Sequence, residues 1–388
     1  MIAPAPANGA VAEDARRVFF VAGEASGDLQ AARLATALRR RDPRLVLSGV
    51  GGSAMRDAGV VTDVDIGELS VMGIAEVVGA LARVRRIYRR IVEELDSPRR
   101  PQLLVLVDFP EFNLLVARAA RRRGVPVLYY VSPQVWAWRR GRVRKIRDRV
   151  DGMVVLFPFE EAFYAAHDVP ARFFGHPLAE TVSASLPACE TRARHGLPAE
   201  GPIVALLPGS RVKEVDRHLP LMLSAARLLE GHAHFAIARA PGIDRERLRR
   251  IIGDARLDVA IVDDDTYNLL SAADAAAVAS GTATVETALL GCPHVVVYKT
   301  SGLTYTVARA LVRTRYIGMP NIILDAHVVP ELIQGRATPE ALATELRRFL
   351  DDPAYARSVR ERLSGVRDAL VRPGAADRAA AYALELLQ

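Results

Sequence analysis

Residues 279–286 (ASGTATVE) place a polar turn and a carboxylate at a spacing that suits a nucleotide. The residues just before this turn are small and apolar, which is typical of a buried strand. Ser280, Gly281 and Thr282 would begin the following helix, where unpaired backbone N–H groups and the helix dipole favour a phosphate. Glu286, further along that helix, could accept hydrogen bonds from both hydroxyls of a ribose. The same residues also suit an ordinary helix cap, so the stretch needs support from elsewhere in the chain.

A second glycine turn that could bind a diphosphate follows another apolar run in the same half of the chain. It contains Gly209, Ser210 and Arg211. The guanidinium of arginine is planar, stays protonated at neutral pH and matches phosphate oxygens in a bidentate manner. Taken alone, a Pro-Gly-Ser-Arg sequence is typical of a β-turn. Because this turn and the one at Ser280 both follow predicted strands, together they predict a site for a nucleoside diphosphate.

Asp108 directly follows the apolar run of residues 103–107, at the end of a predicted strand. In open α/β sheets ligands bind outside the carboxyl ends of the strands, so a reacting group could be expected here. A carboxylate at this position could act as a general base that removes the proton from an attacking sugar hydroxyl. The alternative is that Asp108 only caps the next helix and that nearby Glu111 is solvated.

The loop after the first predicted strand, residues 23–28 (GEASGD), has two glycines that would let the backbone approach a ligand closely. Glu24 and Ser26 are its candidate binding side chains. The spacing differs from the dinucleotide fingerprint G-x-G-x-x-G. The alternative is a tight turn that Asp28 caps.

Two further groups of residues could bind a metal or a substrate. Asp263, Asp264 and Asp265 could hold a hard cation, but acidic residues also favour the start of a helix, and a helix is predicted directly after them. His176 could contact a sugar or a phosphate, or make a structural hydrogen bond. We expect no metal and no cofactor.

Two parallel sheets are needed to position these residues. Strand-like and helix-like runs alternate along the chain, which predicts an α/β fold of two doubly wound, Rossmann-like halves. The predicted segments are a flexible tail (1–14), an N-terminal domain (15–180), a linker (181–200), a C-terminal nucleotide-binding domain (201–365) and a C-terminal helix that packs back on the N-terminal domain (366–388).

Length and composition fit a globular protein in a reducing compartment. The chain has 388 residues, 50% of them hydrophobic and 6% aromatic, which is enough for a core in each of two domains. Cys189 and Cys292 are far apart and predict neither a disulfide nor a metal site. The first residues do not resemble a signal peptide, and no run approaches the roughly 18 apolar residues of a membrane span. We therefore expect a cytoplasmic protein.

Positive charge is concentrated in residues 83–149, which hold 18 Lys and Arg against 6 Asp and Glu. Trp136 and Trp138 lie beside an arginine run, a pattern that can bind nucleic acid, anionic lipid or an anionic substrate, or be a solvated face. The largely apolar residues 71–81 lead directly into a cluster of arginines, which is typical of an interfacial amphipathic element. This favours an anionic membrane surface as the partner and argues against nucleic acid.

Taken in order along the chain, these segments resemble the lipid-A-disaccharide synthase family. Six segments carry the resemblance: VAGEASGD (21–28), SVMGI (70–74), YVSPQVWAWR (130–139), PGSR (208–211), ASGTA (279–283), and Pro320-Asn321 with PELIQ (330–334). Each is weak alone, but the ordered set is specific and spans nearly the whole chain.

The resemblance implies a GT-B glycosyltransferase whose two Rossmann-like domains face a central cleft. Its reaction transfers 2,3-diacylglucosamine from UDP-2,3-diacylglucosamine to the 6-hydroxyl of 2,3-diacylglucosamine 1-phosphate. The products are a β-1,6-linked lipid A disaccharide 1-phosphate and UDP, with inversion at the anomeric carbon. Because both substrates carry acyl chains, the N-terminal domain would bind the acceptor and associate peripherally with the inner face of the cytoplasmic membrane.

By the same resemblance, Asp108 is the base, Arg211 binds the diphosphate and Glu286 binds the ribose. The remaining residues expected at the UDP site are Gly209, Ser210, Ser280, Gly281 and Thr282. The residues expected to line the cleft are Glu24, Ser26, Asn321, Glu331 and Gln334. Family members often carry Asp where this chain has Glu111, so Glu111 is given no catalytic role.

Two other functions are compatible with the sequence. Another GT-B enzyme acting on UDP-sugars, such as a non-hydrolysing epimerase or a peptidoglycan-type transferase, would share the fold and the nucleotide motifs. A requirement for acylated substrates separates the synthase from these enzymes. A nucleic-acid-binding protein would use the basic residues 83–149 and would have no use for Arg211 or Glu286.

Overall fold

The computed structural model of the chain describes residues 15–65, 77–136, 141–302 and 314–387, with the backbone alone for residues 77–81. These residues form two compact units. The first contains the described residues up to Pro177 together with those from Arg372 onward, and the second runs from Leu178 to Val371. The predicted tail, residues 1–14, lies outside the described residues.

Strands and helices alternate along the chain. The strands are β1 (Arg17–Ala22), β2 (Val46–Gly51), β3 (Val61–Asp65), β4 (Leu103–Val107), β5 (Val127–Tyr130), β6 (Gly152–Val155), β7 (Ala171–Phe173), β8 (Ile203–Leu207), β9 (His234–Arg239), β10 (Val259–Asp263), β11 (Ala275–Ala279), β12 (His294–Tyr298) and β13 (Glu331–Ile333). The helices are α1 (Ala25–Arg41), α2 (Ser53–Asp57), α3 (Val77–Asp96), α4 (Pro110–Arg121), α5 (Arg142–Arg147), α6 (Pro158–Ala165), α7 (Pro177–Thr181), α8 (Ala188–Arg194), α9 (Val212–Arg227), α10 (Arg245–Ala255), α11 (Thr266–Ala272), α12 (Thr282–Leu289), α13 (Met319–Ile323), α14 (Pro339–Asp351), α15 (Pro353–Leu370) and α16 (Ala375–Glu385).

Each unit is built on one parallel sheet. The strand order is β3-β2-β1-β4-β5-β6-β7 in the first unit and β10-β9-β8-β11-β12-β13 in the second. The order reverses between β1 and β4 in the first sheet and between β8 and β11 in the second. In such sheets ligands bind at this switch point, beyond the carboxyl ends of the strands. The predicted α/β fold of two doubly wound sheets is confirmed.

Apolar runs without alternation form the central strands, because helices cover both faces of each sheet. The runs Leu103–Val107 (LLVLV) and Ala275–Ala279 (AAAVA) are buried along their whole length. In the first unit, Ala379 and Ala383 of α16 share a buried cluster with Ala31 of α1. Small side chains at these positions let the last helix lie close to the first, so α16 completes the core of the first unit.

The segment predicted as a linker, residues 181–200, contains helix α8 and bonds to the second unit. The backbone N–H groups of Ser185 and Leu186 both donate to Asn268 Oδ1, at 2.8 and 3.0 Å. Arg192 donates to the carbonyl of Gly201 at 2.9 Å. These bonds fix the segment against α11 of the second unit.

Helix α3 directs Ile87, Ile91 and Leu95 into the core of the first unit. Ile87, Ile91 and Leu95 are 1% exposed and lie four residues apart, whereas Arg85 is exposed. The described side chains of this helix therefore present arginines to solvent. The predicted apolar stretch of residues 71–81 lies outside the residues whose side chains are described. Within the described ranges, no helix combines the length and apolar character needed to cross a bilayer.

Candidate active site

A cavity of about 780 Å³ lies at the switch point of the second sheet. It brings together all seven residues predicted for the UDP site: Gly209, Ser210 and Arg211 after β8, and Ser280, Gly281, Thr282 and Glu286 after β11. Side chains from the ends of β9 and β10 complete its walls, among them Arg239, Asp264 and Tyr267. The sequence related the two turns only because both follow predicted strands. The structure places them on one cavity.

In the turn after β8, three hydrogen-bond donors surround the carboxylate of Glu214. The backbone N–H groups of Ser210 and Arg211 donate to Glu214 Oε2 at 3.2 and 3.3 Å, and Arg211 Nη1 donates to Glu214 Oε1 at 2.9 Å. Gly209 has φ +122°, and a Cβ there would lie 2.7 Å from the Glu214 side chain. Glycine is therefore required for this close approach. The Arg211 side chain is 81% exposed, so its guanidinium can also bind a ligand in the cavity.

The turn after β11 begins helix α12. Gly281 has φ +151°, a conformation that favours glycine, and the first N–H groups of a helix have no acceptor within the helix. Ser280 Oγ donates to the carbonyl of Ile317 at 3.0 Å, which fixes the turn against the loop before α13. The start of α12 on the cavity wall is therefore a favourable environment for a phosphate.

Glu286 and Tyr267 form a hydrogen-bonded pair on the same cavity. Tyr267 Oη donates to Glu286 Oε1 at 2.9 Å. Burial raises the pKa of Glu286, and the hydrogen bond from Tyr267 acts in the opposite direction. Burial and the neighbouring Glu286 raise the pKa of Tyr267, so its hydroxyl stays protonated and donates. Glu286 Oε2 can then accept hydrogen bonds from the hydroxyl groups of a ligand.

Three residues expected to line the cleft, Asn321, Glu331 and Gln334, are not among the residues that line this cavity. Asn321 is fully buried and its Nδ2 donates to Glu331 Oε1 at 2.9 Å. Glu331 also accepts from the N–H groups of Ile317 and Gly318, at 3.1 and 2.9 Å. Buried polar groups need such partners, and these hold the loop that accepts the hydrogen bond from Ser280.

Gln334, the third of these residues, forms two hydrogen bonds with the backbone of Thr300, just after β12. Its Oε1 accepts from Thr300 N at 3.0 Å and its Nε2 donates to the Thr300 carbonyl at 2.8 Å. Gln334 has φ +53°, a conformation that costs free energy in a non-glycine residue and is held here by the two hydrogen bonds. Gln334 therefore fixes a loop.

Asp108 lies at the switch point of the first sheet, at the carboxyl end of β4. Asp108 and Phe109 both have left-handed backbones, with φ +49° and +46°. The Asp108 carbonyl accepts from Asn113 Nδ2 and from Tyr129 Oη, each at 2.7 Å. A Cβ on Gly23 would lie 2.5 Å from the Phe109 ring, so the loop after β1 needs glycine to pack against this turn.

The structure brings Glu24 close enough to Asp108 to influence the pKa of the Asp108 carboxyl group. Burial raises the pKa of Asp108, the negative charge of Glu24 raises it further, and a hydrogen bond from the Phe109 backbone lowers it. Ser26 is exposed in the first turn of α1, after the same loop. A carboxylate with a raised pKa is a better proton acceptor than an ordinary aspartate.

Asn113 and Tyr129 were not expected from the sequence. Asn113 Nδ2 also donates to the Val107 carbonyl at 3.1 Å, and both side chains are fully buried. Their acceptors are backbone oxygens, which carry no signal in the sequence. The only hint in the sequence is that Asn113 follows the candidate base by five residues.

Asp28 caps a helix, but the helix is α2 and not the turn of the first loop that the alternative interpretation had it cap. Its carboxylate accepts from the N–H groups of Gly52 and Ala54 at 2.7 and 3.0 Å, at the start of α2. Glu111 forms an ion pair with Arg142 and is 71% exposed. His176 is buried against Phe157, and burial lowers its pKa to about 4.

Two residues of the acidic triplet form ion pairs, and the third, Asp264, lines the cavity. Asp263 pairs with Arg239 and Arg245, and Asp265 binds His195 Nε2 at 2.7 Å. Among the described residues, no group of His, Cys, Asp and Glu side chains could hold a metal ion.

Trp136 is 6% exposed and its indole Nε1 donates to Glu160 at 3.0 Å. Ser132 Oγ donates to the same carboxylate at 2.8 Å, and burial raises the pKa of Glu160 to about 7. A buried Trp136 cannot stack on a nucleic-acid base. Trp138 lies outside the described residues. Glu160 is absent from the residues predicted from the sequence, because an acid in the first turn of a helix is usually exposed.

Comparisons with known proteins agree with the resemblance seen in the sequence. Residues 18–380 match the sequence model of the family described as lipid-A-disaccharide synthetase. The lipid-A-disaccharide synthase of Geobacter metallireducens is 44% identical over 375 residues, which cover 96% of this chain and 97% of that protein.

Solved structures share the fold at low sequence identity. A glycosyltransferase from Rickettsia africae has a TM-score of 0.61 at 11% identity, covering 97% of this chain and 99% of that one. The UDP-GlcNAc 2-epimerase from Neisseria meningitidis, bound to UDP-GlcNAc, has a TM-score of 0.58 at 13% identity, covering 96% and 99%. Transferases and epimerases thus share this fold, and the fold alone does not separate their activities.

Proposed function

The chain belongs to the lipid-A-disaccharide synthase family, and from that premise we propose how its two units divide the work of the transfer. It is a glycosyltransferase of lipid A biosynthesis that takes a UDP-sugar donor and a sugar-phosphate acceptor. In this proposal the second unit binds the UDP of the donor, and the first unit supplies the base that acts on the acceptor.

The proposed donor is UDP-2,3-diacylglucosamine and the proposed acceptor is 2,3-diacylglucosamine 1-phosphate. The 6-hydroxyl oxygen of the acceptor attacks the anomeric carbon of the donor, and the bond from that carbon to the β-phosphate oxygen breaks. UDP leaves with the bonding electrons, and the hydroxyl proton passes to the Asp108 carboxylate. A single displacement inverts the anomeric centre and needs no covalent intermediate.

The observation that carries the donor site is the meeting of both glycine turns and Glu286 on one cavity. Arg211 and the start of α12 would neutralise the diphosphate, which carries most of the charge that develops on the leaving group. Glu286, oriented by Tyr267, would accept hydrogen bonds from the ribose hydroxyls. Asn321 and Glu331 would act as positioning residues, because their hydrogen bonds hold the loop whose Ile317 carbonyl accepts from Ser280. Gln334 would position the backbone at Thr300.

Asp108 is the proposed base because its carboxylate combines a switch-point location with a raised pKa. The left-handed backbone at Asp108 is held by two buried donors, Asn113 and Tyr129, which suits a group that must keep its orientation during a reaction. Glu24 and Ser26 would contact the acceptor near the base. Glu111 keeps no catalytic role, since its charge is paired with Arg142 at the surface.

Both substrates carry acyl chains, so the protein must meet them at a bilayer. We place this contact on the cytoplasmic face of the membrane, as peripheral binding. Arg85, Arg86 and Arg89 are exposed on α3 and would attract anionic headgroups. Since Ile87, Ile91 and Leu95 of that helix are buried, the described part of the contact is electrostatic.

The proposal is tested by supplying the purified protein in detergent with UDP-2,3-diacylglucosamine, with and without the monosaccharide 1-phosphate, and measuring released UDP and the disaccharide product. Acceptor-dependent UDP release with stoichiometric disaccharide is expected. A parallel incubation with UDP-GlcNAc alone detects epimerisation. Epimerised UDP-sugar without disaccharide would replace the synthase by the epimerase alternative.

A further inference from the structure

A second cavity lies beside the nucleotide cavity in the second unit, and its walls are rich in cations. Its volume is about 370 Å³, and Lys213, Arg217 and Lys299 line it. We call this cavity the basic pocket. Arg211 and Ser280 line both the nucleotide cavity and the basic pocket. A ligand in the basic pocket would therefore be next to the diphosphate of a bound nucleotide.

The basic pocket holds positive charge that the described part of the protein does not neutralise. Glu214, the one carboxylate among its described lining residues, forms an ion pair with Arg211 at 2.9 Å. Across the described ranges, Lys213, Arg217 and Lys299 have no ion-pair partner, and Arg217 Nη1 donates only to a threonine hydroxyl at 3.4 Å. Cations gathered in a concave surface attract an anion that carries more than one charge.

The loop that carries Lys299 is held from two sides. His218 is buried, and its Nε2 accepts from Lys299 N at 3.0 Å while its Nδ1 donates to the Pro208 carbonyl at 2.9 Å. Gln334 fixes the next residue, Thr300, through both its N–H and its carbonyl. A pocket with fixed walls loses little conformational entropy when a ligand binds. The basic pocket is thus a built feature of the fold.

We propose that the basic pocket binds the phosphate of the sugar-phosphate acceptor. This inference rests on the proposed function, in which the diphosphate of the donor already has donors at Arg211 and the start of α12. The acceptor is the second phosphorylated ligand of the reaction, and a phosphate monoester carries close to two negative charges at neutral pH. Lysine and arginine side chains are suited to binding it through charge-assisted hydrogen bonds. Lys213, Arg217 and Lys299 are therefore specificity-determining residues for the acceptor.

The test compares two acceptors that differ only in the phosphate, 2,3-diacylglucosamine 1-phosphate and 2,3-diacylglucosamine. UDP release is measured for wild type, Lys213→Gln and Lys299→Gln, each exposed or half-exposed at the pocket wall. Each variant should lower kcat/KM for the phosphorylated acceptor about tenfold, mainly through KM, as expected for one lost charge-assisted hydrogen bond. Neither should change kcat/KM for the acceptor without phosphate. Arg250→Gln removes the same charge from an exposed position on α10 and should change neither value.

A binding experiment covers the case in which wild type does not use the acceptor that lacks phosphate. Inorganic phosphate should inhibit wild type competitively against the phosphorylated acceptor, and Lys213→Gln and Lys299→Gln should weaken that inhibition. Inhibition that is competitive against the donor instead, or a weaker UDP Kd in the two variants, would assign the pocket to the donor diphosphate and overturn the inference.

Unchanged kcat/KM in both variants, or equal losses with both acceptors, would also overturn it. Failure of the proposed function is a separate result, because wild type would then release no UDP in response to either acceptor.

Discussion

Asn113 holds the backbone of Asp108: its Nδ2 donates to the Asp108 carbonyl oxygen at 2.7 Å. Asp108 has φ +49°, and a non-glycine residue in this region costs of the order of 1–3 kcal/mol unless its surroundings compensate. Tyr129 Oη, donating to the same oxygen at 2.7 Å, adds to that compensation. The proposed base is thus supported through its backbone, which leaves its carboxylate to accept the acceptor's proton.

Replacing Asn113 by alanine tests this support. Asn113→Ala removes two hydrogen bonds from a fully buried side chain, so the free energy of unfolding should fall by about 1–3 kcal/mol. kcat for UDP release should fall as well, while the Kd for UDP stays unchanged. Urea unfolding and calorimetric UDP titration measure the two effects. Leu115→Ala on the same helix, at an exposed position, is the matched control. Lost stability with an unchanged kcat would make Asn113 purely structural.

The sequence predicted that Asp108 follows a buried strand, but it did not predict the residues that hold its backbone. An apolar run such as Leu103–Val107 is typical of a buried strand, and the residue after a parallel strand lies at the edge of the sheet where ligands bind. The partners of Asp108 come from α4 and β5, and they bind main-chain oxygens. Such contacts depend on the order of the strands in the sheet and on the left-handed backbone of two consecutive residues. The residue types in the sequence indicate neither of these.

Removing the Tyr267 hydroxyl should weaken nucleotide binding through Glu286. Tyr267→Phe loses a 2.9 Å hydrogen bond to the carboxylate, and the Kd for UDP should rise about tenfold. The Kd for 2′-deoxy-UDP should rise less, because that nucleotide offers Glu286 one hydroxyl fewer. Tyr355→Phe, in the same unit but outside the cavity, should bind as wild type. Equal losses for both nucleotides would show that Tyr267 does not act through ribose recognition.

The same pair predicts a pH effect on binding. The hydrogen bond from Tyr267 lowers the pKa of Glu286, so its loss should raise that pKa. In the proposed site, UDP binding uses the ionised form of Glu286, so the affinity should fall as pH drops through that pKa. In Tyr267→Phe this fall should therefore begin at a higher pH than in wild type.

Glu24 should set the pH at which Asp108 becomes an active base. The negative charge of Glu24 raises the pKa of Asp108, so Glu24→Gln should lower it. The acid limb of kcat/KM, which marks deprotonation of the base, should therefore move to lower pH. Glu111→Gln also removes a negative charge close in sequence, but that charge is paired with Arg142 and the limb should stay in place. An acid limb that does not move in Glu24→Gln would break the link between the two carboxylates.

Glu24, Asn321 and Glu331 were all predicted to line the cleft, yet the environment of Glu24 differs from that of the other two. Glu24 is exposed at a loop, whereas Asn321 and Glu331 are buried and bonded to each other. A motif indicates which residue types belong at its positions. Whether a given side chain contacts substrate or holds a loop depends on its burial, and the neighbouring residues in the sequence do not reveal that burial.

The exposed arginines of α3 should determine membrane binding. Arg85, Arg86 and Arg89 changed together to Glu should weaken binding to phosphatidylglycerol vesicles at least about hundredfold, given about 1 kcal/mol for each basic residue near an anionic surface. Binding should also weaken as salt is raised, while the Kd for UDP stays unchanged. Charge reversal of exposed arginines in the second unit, at Arg249, Arg250 and Arg357, is the control. Equal vesicle binding by the α3 variant and wild type would reject this surface.

Asp108→Asn is the variant that tests the central claim most directly, because Asn tolerates the left-handed backbone and only the proton-accepting oxygen is lost. The measurement is acceptor-dependent UDP release together with the Kd for UDP. kcat should fall about a hundredfold or more while UDP binding stays intact, which is the size expected for a lost general base. Near-wild-type release by Asp108→Asn would show that Asp108 is not the base.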